Sequence, residues 1–231
     1  MILALGSRAA EFGKKLSPGI PVVFANVLNP RASGLIKDFS SPPDLISGAA
    51  LDIHPREKLK VLKSLLPEAK RIGILYHSPS LEPLIHEIQS EAEESGFSVQ
   101  AIKLKDLGEM PEALEDLTAK IDVFWMVADT DIFNPQSTRY ILLQTLRRRI
   151  PFIGLSPSYV KAGALFCLYW DSVDIGEQAA ALVPKIAGGQ FPTPVPVTRP
   201  RRMTLHINEH VASNLNVEIP KNLQKSIVVN Q

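Results

Sequence analysis

The sequence has little cysteine and no long hydrophobic run. Its single cysteine, Cys167, lies within an apolar stretch, so neither an internal disulfide framework nor a cysteine metal site is expected. We expect Cys167 to be a small buried side chain. No apolar stretch reaches the roughly 20 residues that a membrane-spanning helix needs, and residues 1–5 are too short for the core of a signal peptide. The sequence therefore predicts no direct insertion into a membrane.

The chain also lacks an excess of charge and the common cofactor motifs. Its 25 basic and 24 acidic residues give a formal net charge of +1, which offers no attraction to nucleic acid. Neither G-x-G-x-x-G after a strand nor G-x-x-x-x-G-K-[ST] is present, so no nucleotide cofactor is predicted. The serine-hydrolase motif G-x-S-x-G fails at residues 154–158, because Ser158 replaces its last glycine. These absences argue against a cofactor-dependent enzyme or a hydrolase.

What the sequence does contain is a repeated pattern of apolar runs that end in polar clusters. The runs 71–75, 123–128, 152–155 and 164–168 are followed by Tyr76-His77-Ser78, Asp129-Thr130-Asp131, Ser156 and Tyr169-Trp170-Asp171. Short β-forming runs that alternate with helical stretches are typical of buried parallel strands. Ligands of such α/β folds bind at the carboxyl ends of the strands. The pattern predicts an α/β protein with its site at that edge.

At 231 residues and 45 % hydrophobic, the chain is long enough for two small lobes, the arrangement we expect. A helix over 56–66 is closed by Pro67, and residues 190–200 carry four prolines that favour an extended connector. We therefore expect a first lobe of residues 1–68 with 201–231, and a second lobe of residues 69–200. The other predicted helices cover 8–15, 81–95, 111–120, 135–149, 158–162, 174–187 and 208–215; the strands cover 1–5, 21–25, 71–76, 98–104, 122–128, 151–155, 164–168 and 204–207.

Asp129 and Asp131 are the most informative acidic pair. They could form a Mg²⁺ or phospho-receiver pocket, or they could cap the next element as turn residues. We prefer a third interpretation, in which one carboxylate pairs with an ammonium or another donor group of a ligand.

Other clusters have plainer explanations. The residues His206, Glu209 and His210 match the H-x-x-E-H spacing of a zinc site, but Asn208 looks like a helix N-cap that leaves His206 in the preceding strand. We expect no metal there. The arginines at 147–149 and at 199–202 are expected on the solvated surface. Tyr169 and Trp170 could form a pocket wall or could pack in the core.

Several segments taken in order resemble one family. They are 20–30 (IPVVFANVLNP), 33–35 (SGL), 46–48 (ISG), 70–76 (KRIGILY), 150–154 (IPFIG), 160–164 (VKAGA) and 207–208 (IN). Together they resemble the ABC-transporter substrate-binding proteins, whose members include carriers for tryptophan and related compounds. The resemblance covers nearly the whole chain.

This resemblance implies a type I periplasmic-binding-protein fold, in which two Rossmann-like lobes with helix-flanked parallel sheets close on a small molecule in the cleft between them. It implies a non-enzymatic solute-binding protein of an ABC importer, with a permease and its ATPase as partners and an extracytoplasmic location. The family's Gly-Thr or Gly-Ser turn, Phe-Ala strand end, Leu-Tyr strand end and following Asp are matched at 6–7, 24–26, 75–76 and 129. Its Asn-Ile-Thr-Gly turn is matched in part at 45–48 (LISG). The candidate ligand-binding residues are Ser7, Asn26, Ser47, Tyr76, His77, Ser78, Asp129, Thr130 and Ser156.

The chain also departs from the family. Asn29-Pro30 replaces an Asp-Pro, and His77 replaces an Asn, so a different solute is possible. Further strand–helix units and a secretion signal precede the position of Met1 in the family, which implies a fragment or an abbreviated first lobe. The main alternative is the ligand-sensing domain of a regulator or receptor. The others are an enzyme with catalytic residues at Asp129 and Asp131 or at 206–210, and a degenerate protein without a ligand.

Overall fold

The protein forms two compact units. The computed structural model describes residues 1–16, 19–43, 45–187 and 195–224. Residues 1–54 and 170–203 make up the first of them, called unit 1, and residues 55–169 with 204–231 make up the second, unit 2. The predicted α/β class is confirmed, because both units consist of a mainly parallel sheet with helices.

Unit 1 contains a three-stranded parallel sheet between two helices. Its strands are β1 (Ile2–Leu5), β2 (Val22–Val27) and β3 (Ile46–Ala50), in that spatial order, and its helices are α1 (Ser7–Leu16) and α7 (Ser172–Ala187). Neighbouring residues of a strand point to opposite faces. Val22 therefore faces α1, where Gly13 allows close approach, while Val23 packs against Leu182 and Ile186 of α7.

Unit 2 contains a six-stranded sheet in the order β5-β4-β6-β7-β8-β9. Its strands are β4 (Arg71–Tyr76), β5 (Ser98–Lys103), β6 (Val123–Trp125), β7 (Phe152–Ile153), β8 (Phe166–Trp170) and β9 (Met203–Ile207). Its helices are α2 (Pro55–Leu65), α3 (Glu82–Glu94), α4 (Met110–Thr118), α5 (Pro135–Arg147), α6 (Pro157–Ala162), α8 (Glu209–Leu215) and α9 (Lys221–Gln224). The pairings of β4 with β5 and β6, of β6 with β7 and of β7 with β8 are parallel, as predicted.

The last strand departs from this parallel arrangement. Asp171 N–H donates to Arg202 O at 3.1 Å and Asn208 N–H donates to Leu165 O at 2.8 Å, a pairing in which the residue numbers run in opposite directions. Strand β9 is therefore antiparallel to β8. The chain leaves unit 2 at the carboxyl end of β8 and returns at the start of β9, so the returning strand must run the other way.

The boundaries of the units differ from those of the predicted lobes. The chain crosses between units at residues 54–55, 169–170 and 203–204 rather than near Pro67 and within 190–200. Helix α2 belongs to unit 2, where Lys58 Nζ lies 5.4 Å from the centre of the Trp125 ring. Part of the predicted connector, residues 190–194, lies outside the described residues; further along, Thr198 bridges Ala49 in unit 1. Proline content therefore did not mark the positions at which the chain crosses between the units.

Strand β3 was not predicted as a strand. All five of its residues are buried, including Ser47 and Gly48. A Cβ on Gly48 would lie 2.4 Å from Phe24 O, so only glycine allows this approach of β3 to β2. Small residues that permit close packing weaken the usual β-strand signal, because they are not strong β formers.

Two other expectations concern burial and the membrane. Cys167 is completely buried, as predicted, and burial raises the pKa of its thiol to about 12. No helix in the described part of the chain is both long enough and apolar enough to cross a bilayer.

Candidate functional site

The carboxylate of Asp129 organises the edge of the sheet in unit 2. This side chain follows β6, is only 3 % exposed and accepts three backbone hydrogen bonds. Its Oδ2 accepts from the N–H groups of His77 at 2.7 Å and Ser78 at 3.0 Å, and its Oδ1 accepts from that of Asp131 at 3.1 Å. The carboxylate thus ties the loop after β4 to the loop after β6. It positions the backbone of the candidate site, whereas the sequence predicted that it would pair with a ligand.

The residues that follow β4 remain accessible from solvent. Tyr76, His77 and Ser78 are half-buried. Nδ1 of His77 lies 3.0 Å from Leu104 O, which fixes the ring, and the hydroxyl of Ser78 lies 2.8 Å from that of Ser80. Three side chains with different polar groups are therefore held at the end of one central strand.

Two more candidates come from the adjacent loops. Thr130 is exposed beside Asp129. Ser156 follows β7 and stands at the N-cap of α6, where its hydroxyl makes no capping hydrogen bond. Because β4, β6 and β7 are neighbours in the sheet, the structure brings all six candidates of unit 2 to one edge, as the sequence predicted.

Unit 1 brings Ser7 and Asn26 to the carboxyl ends of the adjacent strands β1 and β2. Gly6, with φ of +87°, donates its N–H to Ala25 O at 2.9 Å, and α1 starts at once with half-buried Ser7. Asn26 has φ of +59° at the point where the β2–β3 register shifts, so its exposed side chain leaves the regular ladder. Both residues can present polar groups at this edge.

Ser47 is placed elsewhere in unit 1. It is the second residue of β3, is completely buried, and donates its hydroxyl to Pro196 O at 3.2 Å. It therefore lies away from the carboxyl end of its strand, where Ser7 and Asn26 are found on the neighbouring strands. The resemblance predicted a turn at residues 45–48, whereas in the structure Ile46–Ala50 form strand β3.

Asp52 was missed by sequence reasoning. It follows the apolar run 46–51, is largely buried, and accepts the N–H of Asn29 on its Oδ2 at 2.9 Å. The carboxylate thereby holds the loop that follows β2, much as Asp129 holds the loops of unit 2. An acidic residue directly after a buried run was a usable signal, since Asp129 was singled out by the same pattern.

The arginines near residue 200 were expected on the solvated surface, and the side chains of Arg201 and Arg202 are exposed, at 63 % and 53 %. They also take part in a cluster of hydrogen bonds and ion pairs around Asp174, which the sequence did not predict. Asp174, only 1 % exposed at the start of α7, accepts the backbone N–H groups of Arg201 at 2.9 Å and Arg202 at 3.1 Å. It also accepts Nε of Arg201 at 3.0 Å and the side-chain amide of Gln178 at 2.8 Å. Burial alone would raise the pKa of Asp174, but these donors lower it to about 2. The cluster fastens this segment to α7 inside unit 1.

The three residues with the spacing of a zinc site, at 206, 209 and 210, do not lie on one helix. His206 lies in β9, whereas Glu209 and His210 lie in α8, and the side chain of Asn208 caps that helix by accepting from Val211 N at 3.0 Å. In the part of the chain that the structure describes, no three His, Cys, Asp or Glu residues are grouped to hold a metal ion.

The aromatic residues after β8 belong to different packing environments. Tyr169 meets the ring of His206 edge-on, with centroids 6.4 Å apart, in unit 2. Burial lowers the pKa of His206. Trp170 packs beside Ala25 and Ala49 in unit 1. Both half-buried aromatics therefore have packing roles.

Solved structures identify the class of fold. The chain matches an ABC domain from Streptococcus pneumonia, solved in complex with L-Trp, with a TM-score of 0.74 and 21 % identity over 99 % of this chain and 78 % of that one. It matches the ligand-free, open structure of a substrate-binding protein with adhesive properties from Clostridium difficile with a TM-score of 0.75 and 24 % identity, over 100 % and 78 % of the two chains. The fold is that of the type I periplasmic binding proteins, as predicted.

The family follows from the sequence. The model of the ABC transporter substrate binding protein family matches residues 1–228, and the chain belongs to that family. A curated relative, the tyrosine-binding protein of Clostridioides difficile (strain R20291), is 25 % identical over 220 residues. That alignment covers 94 % of this chain but 63 % of the relative, so the chain spans less than two thirds of the relative's length. The resemblance seen in the sequence is confirmed.

Proposed function

We propose that this protein is the solute-binding component of an ABC import system, with an amino acid or a related organic solute as its ligand. The match to the substrate-binding family over residues 1–228 carries the proposal. An aromatic amino acid is the first solute to test, because the 25 % identical curated relative is a tyrosine-binding protein. Such a function implies a permease with its ATPase as partners and an extracytoplasmic location.

The proposed site uses polar groups at the strand ends of each unit. Ser7 opens α1, and the N–H groups of a helix's first turn favour an anion such as a carboxylate. Asn26 would add amide donors and an acceptor beside it. Side chains of unit 2 would bind the rest of the solute, with Tyr76 and His77 against its apolar part. The remaining candidates are Ser78, Thr130 and Ser156, with Asp129 and Ser47 as positioning residues.

The proposed mechanism is the one that the family fold implies. A solute that contacts both lobes across their cleft binds the closed state better than the open one, and so shifts the population toward closure. A permease would then recognise the closed surface. No covalent chemistry takes place, so none of these residues needs to act as an acid, a base or a nucleophile.

Thermal-shift screening tests the proposal. A ligand that binds only the native state raises the melting temperature by mass action, so tyrosine, tryptophan or phenylalanine should raise it, whereas glucose and lysine should not. Isothermal titration calorimetry of each hit should give one site. A set of amino acids and small organic solutes that all leave the melting temperature unchanged would overturn the proposal.

A matched pair of variants locates the site. Asn26 has φ of +59° and Asn216, the C-cap of α8, has φ of +57°. Glycine tolerates both conformations, so Asn26→Gly and Asn216→Gly each remove an amide without straining the backbone. The ligand-induced shift should shrink in Asn26→Gly alone. Equal shifts in the two variants would place the solute away from Asn26.

A further inference from the structure

A groove in unit 2 lies between α5 and α6 and has no role in the solute site proposed above. Its volume is about 550 Å³. One wall is a stripe of α5 at helical spacing, formed by Pro135, Thr138, Arg139, Leu142, Leu143 and Leu146. The opposite wall includes Tyr159, Ala162 and Gly163, where the absence of a side chain at Gly163 leaves room at the end of α6.

The groove exposes large apolar side chains. Leu143 is 44 % exposed and Leu146 is 38 % exposed, both on the stripe of α5 that lines the groove. Single exposed leucines are common on soluble proteins, but apolar side chains lined up along a concave surface with a polar rim mark interaction sites. The groove therefore has the form of an interaction site for apolar side chains.

The charged side chains of α5 and α6, the two helices that form the groove, are all positive. Arg139, Arg147 and Lys161 are exposed, and within the described ranges none of the three has an ion-pair partner. Neither α5 nor α6 contains an aspartate or a glutamate. The contrast is Arg148, which pairs with Glu115 at 3.0 Å. Arg139, which lines the groove, and Arg147 and Lys161, which lie on the same two helices, are thus available to an acidic partner.

We propose that this groove binds an acidic amphipathic helix of a partner protein. The helix would insert apolar side chains at i, i+3 or i+4 and i+7 between α5 and α6, and would present Asp or Glu to Arg139, Arg147 and Lys161. From Pro135 to Leu146 the stripe is about 16 Å long at 1.5 Å per residue, enough for about three turns of a bound helix. A flat lipid surface fits less well, because the apolar lining is concave. The proposal is independent of which solute the protein carries.

The test uses a defined probe and the whole protein. A fluorescein-labelled peptide of about 14 residues, or roughly four turns, is built from Glu, Leu and Ala with its leucines on one face. Fluorescence anisotropy should show binding of this peptide but not of two controls: one with Lys in place of Glu, and one with the same composition in scrambled order. Binding should weaken as salt is added, because the attraction involves exposed charges.

Variants assign the peptide to the groove. Arg139→Glu reverses a rim charge and should weaken binding about tenfold or more, and Leu143→Gln should weaken it through lost apolar contact. Lys15→Glu makes the same charge change on α1 of unit 1 and should leave binding unchanged. Arg139 and Leu143 are exposed, so the folds should be intact by circular dichroism, and Arg139→Gln gives a milder second variant.

Four outcomes would overturn the proposal. In the first, the lysine peptide binds as tightly as the acidic one, and in the second, Arg139→Glu and Leu143→Gln leave peptide binding unchanged. In the third, the protein forms a dimer that Arg139→Glu dissociates. In the fourth, the protein sediments with phosphatidylserine vesicles and Arg139→Glu abolishes this sedimentation. The third would make a second copy the occupant, and the fourth would make it an anionic lipid surface.

Discussion

Buried carboxylates fix loops in both units. Asp52 and Asp129 each follow a strand and accept backbone N–H groups of a neighbouring loop, and Asp174 does the same for residues 201–202 from the start of α7. A charged acceptor makes stronger hydrogen bonds to N–H groups than a neutral one. These three residues therefore explain how irregular segments near the strand ends adopt defined conformations.

The low pKa of Asp174 gives a dependence of stability on pH. The pKa is about 2 in the folded protein and about 3.9 in an unfolded chain, so the stabilisation is present above about pH 4 and is lost as the pH falls toward 2. Urea unfolding of the wild type should show this loss between about pH 4 and pH 2. Asp174→Asn should remove that part of the dependence and be less stable at neutral pH.

Asp116 provides the control for this experiment. It is an exposed carboxylate on α4, so Asp116→Asn should keep the wild-type dependence on pH. If Asp174→Asn lost stability by the same amount at every pH, its carboxylate would not be the titrating group.

Replacement of Asp129 should loosen the edge of the unit 2 sheet. Asp129→Ala leaves three backbone N–H groups without their acceptor, which costs about 1–3 kcal/mol. Asp129→Asn keeps one acceptor oxygen and should lose less. Hydrogen exchange by NMR should show faster exchange at His77 and Ser78 in the alanine variant.

Asp131 is the matched control, because it is exposed and lies two residues away. Asp131→Ala should leave the free energy of unfolding nearly unchanged. A result in which Asp129→Ala and Asp131→Ala were equally stable would remove the positioning role of Asp129.

The elements were largely readable from the sequence because their ends carry strong local signals. Asn134 caps α5 by accepting from Gln136 and Ser137, and Gly96 ends the turn after α3 with φ of +85°, as such residues commonly do. Strand β3 was missed because its small residues depend on contact with β2. The polar residues after β4, β6 and β7 were predicted because each follows an apolar run that is visible in the sequence. The hydrogen bonds of Ser47, Asp52 and Asp129 were not predicted, because their partners are distant in the sequence.

Replacement of two glycines of unit 1 by alanine should change the stability in opposite directions, because only one of them, Gly48, lies at the contact between β2 and β3. Gly48→Ala places a Cβ against Phe24 O and the Phe24 ring. Because a backbone atom cannot move away easily, the free energy of unfolding of this variant should fall by about 1–3 kcal/mol. Gly176 lies in α7, where an added Cβ would have no neighbouring atom within 4 Å, so Gly176→Ala should gain about 0.5–1 kcal/mol. Urea unfolding measures both. Equal effects of the two changes would rule out the close approach as the cause.

At the scale of the whole molecule, each unit is built from two separate stretches of chain. The sequence predicted two lobes and a discontinuous first lobe, but placed the boundaries by proline content. Packing decides them instead: α7 covers the sheet of unit 1, and β9 completes the sheet of unit 2. Such long-range pairing has no local signature in a single sequence.

The antiparallel entry of β9 makes a direct test of unit 2 possible. Asp171 N–H and Arg202 O are 3.1 Å apart and form a hydrogen-bonded pair, so residues 55–171 and 202–224 can be joined by a two-residue Asn-Gly turn. We expect this shortened chain to fold alone, with a cooperative urea transition and the far-ultraviolet circular dichroism of an α/β protein.

Residues 69–200, the second lobe as the sequence suggested it, form the control. They omit β9 and α2 of unit 2 and include α7 of unit 1, so they should aggregate or unfold without a cooperative transition. If the control folded and the joined chain did not, the boundaries of unit 2 would be incorrect.

The split of unit 1 also has a consequence during translation. The sheet formed by residues 1–54 leaves the ribosome with the face of Val23 bare, and its cover, α7, emerges only after all of residues 55–169. At about 5–20 residues per second this interval lasts on the order of ten seconds. A nascent chain with an uncovered apolar sheet for that time is a natural client for chaperones, whereas most of unit 2 is completed without interruption.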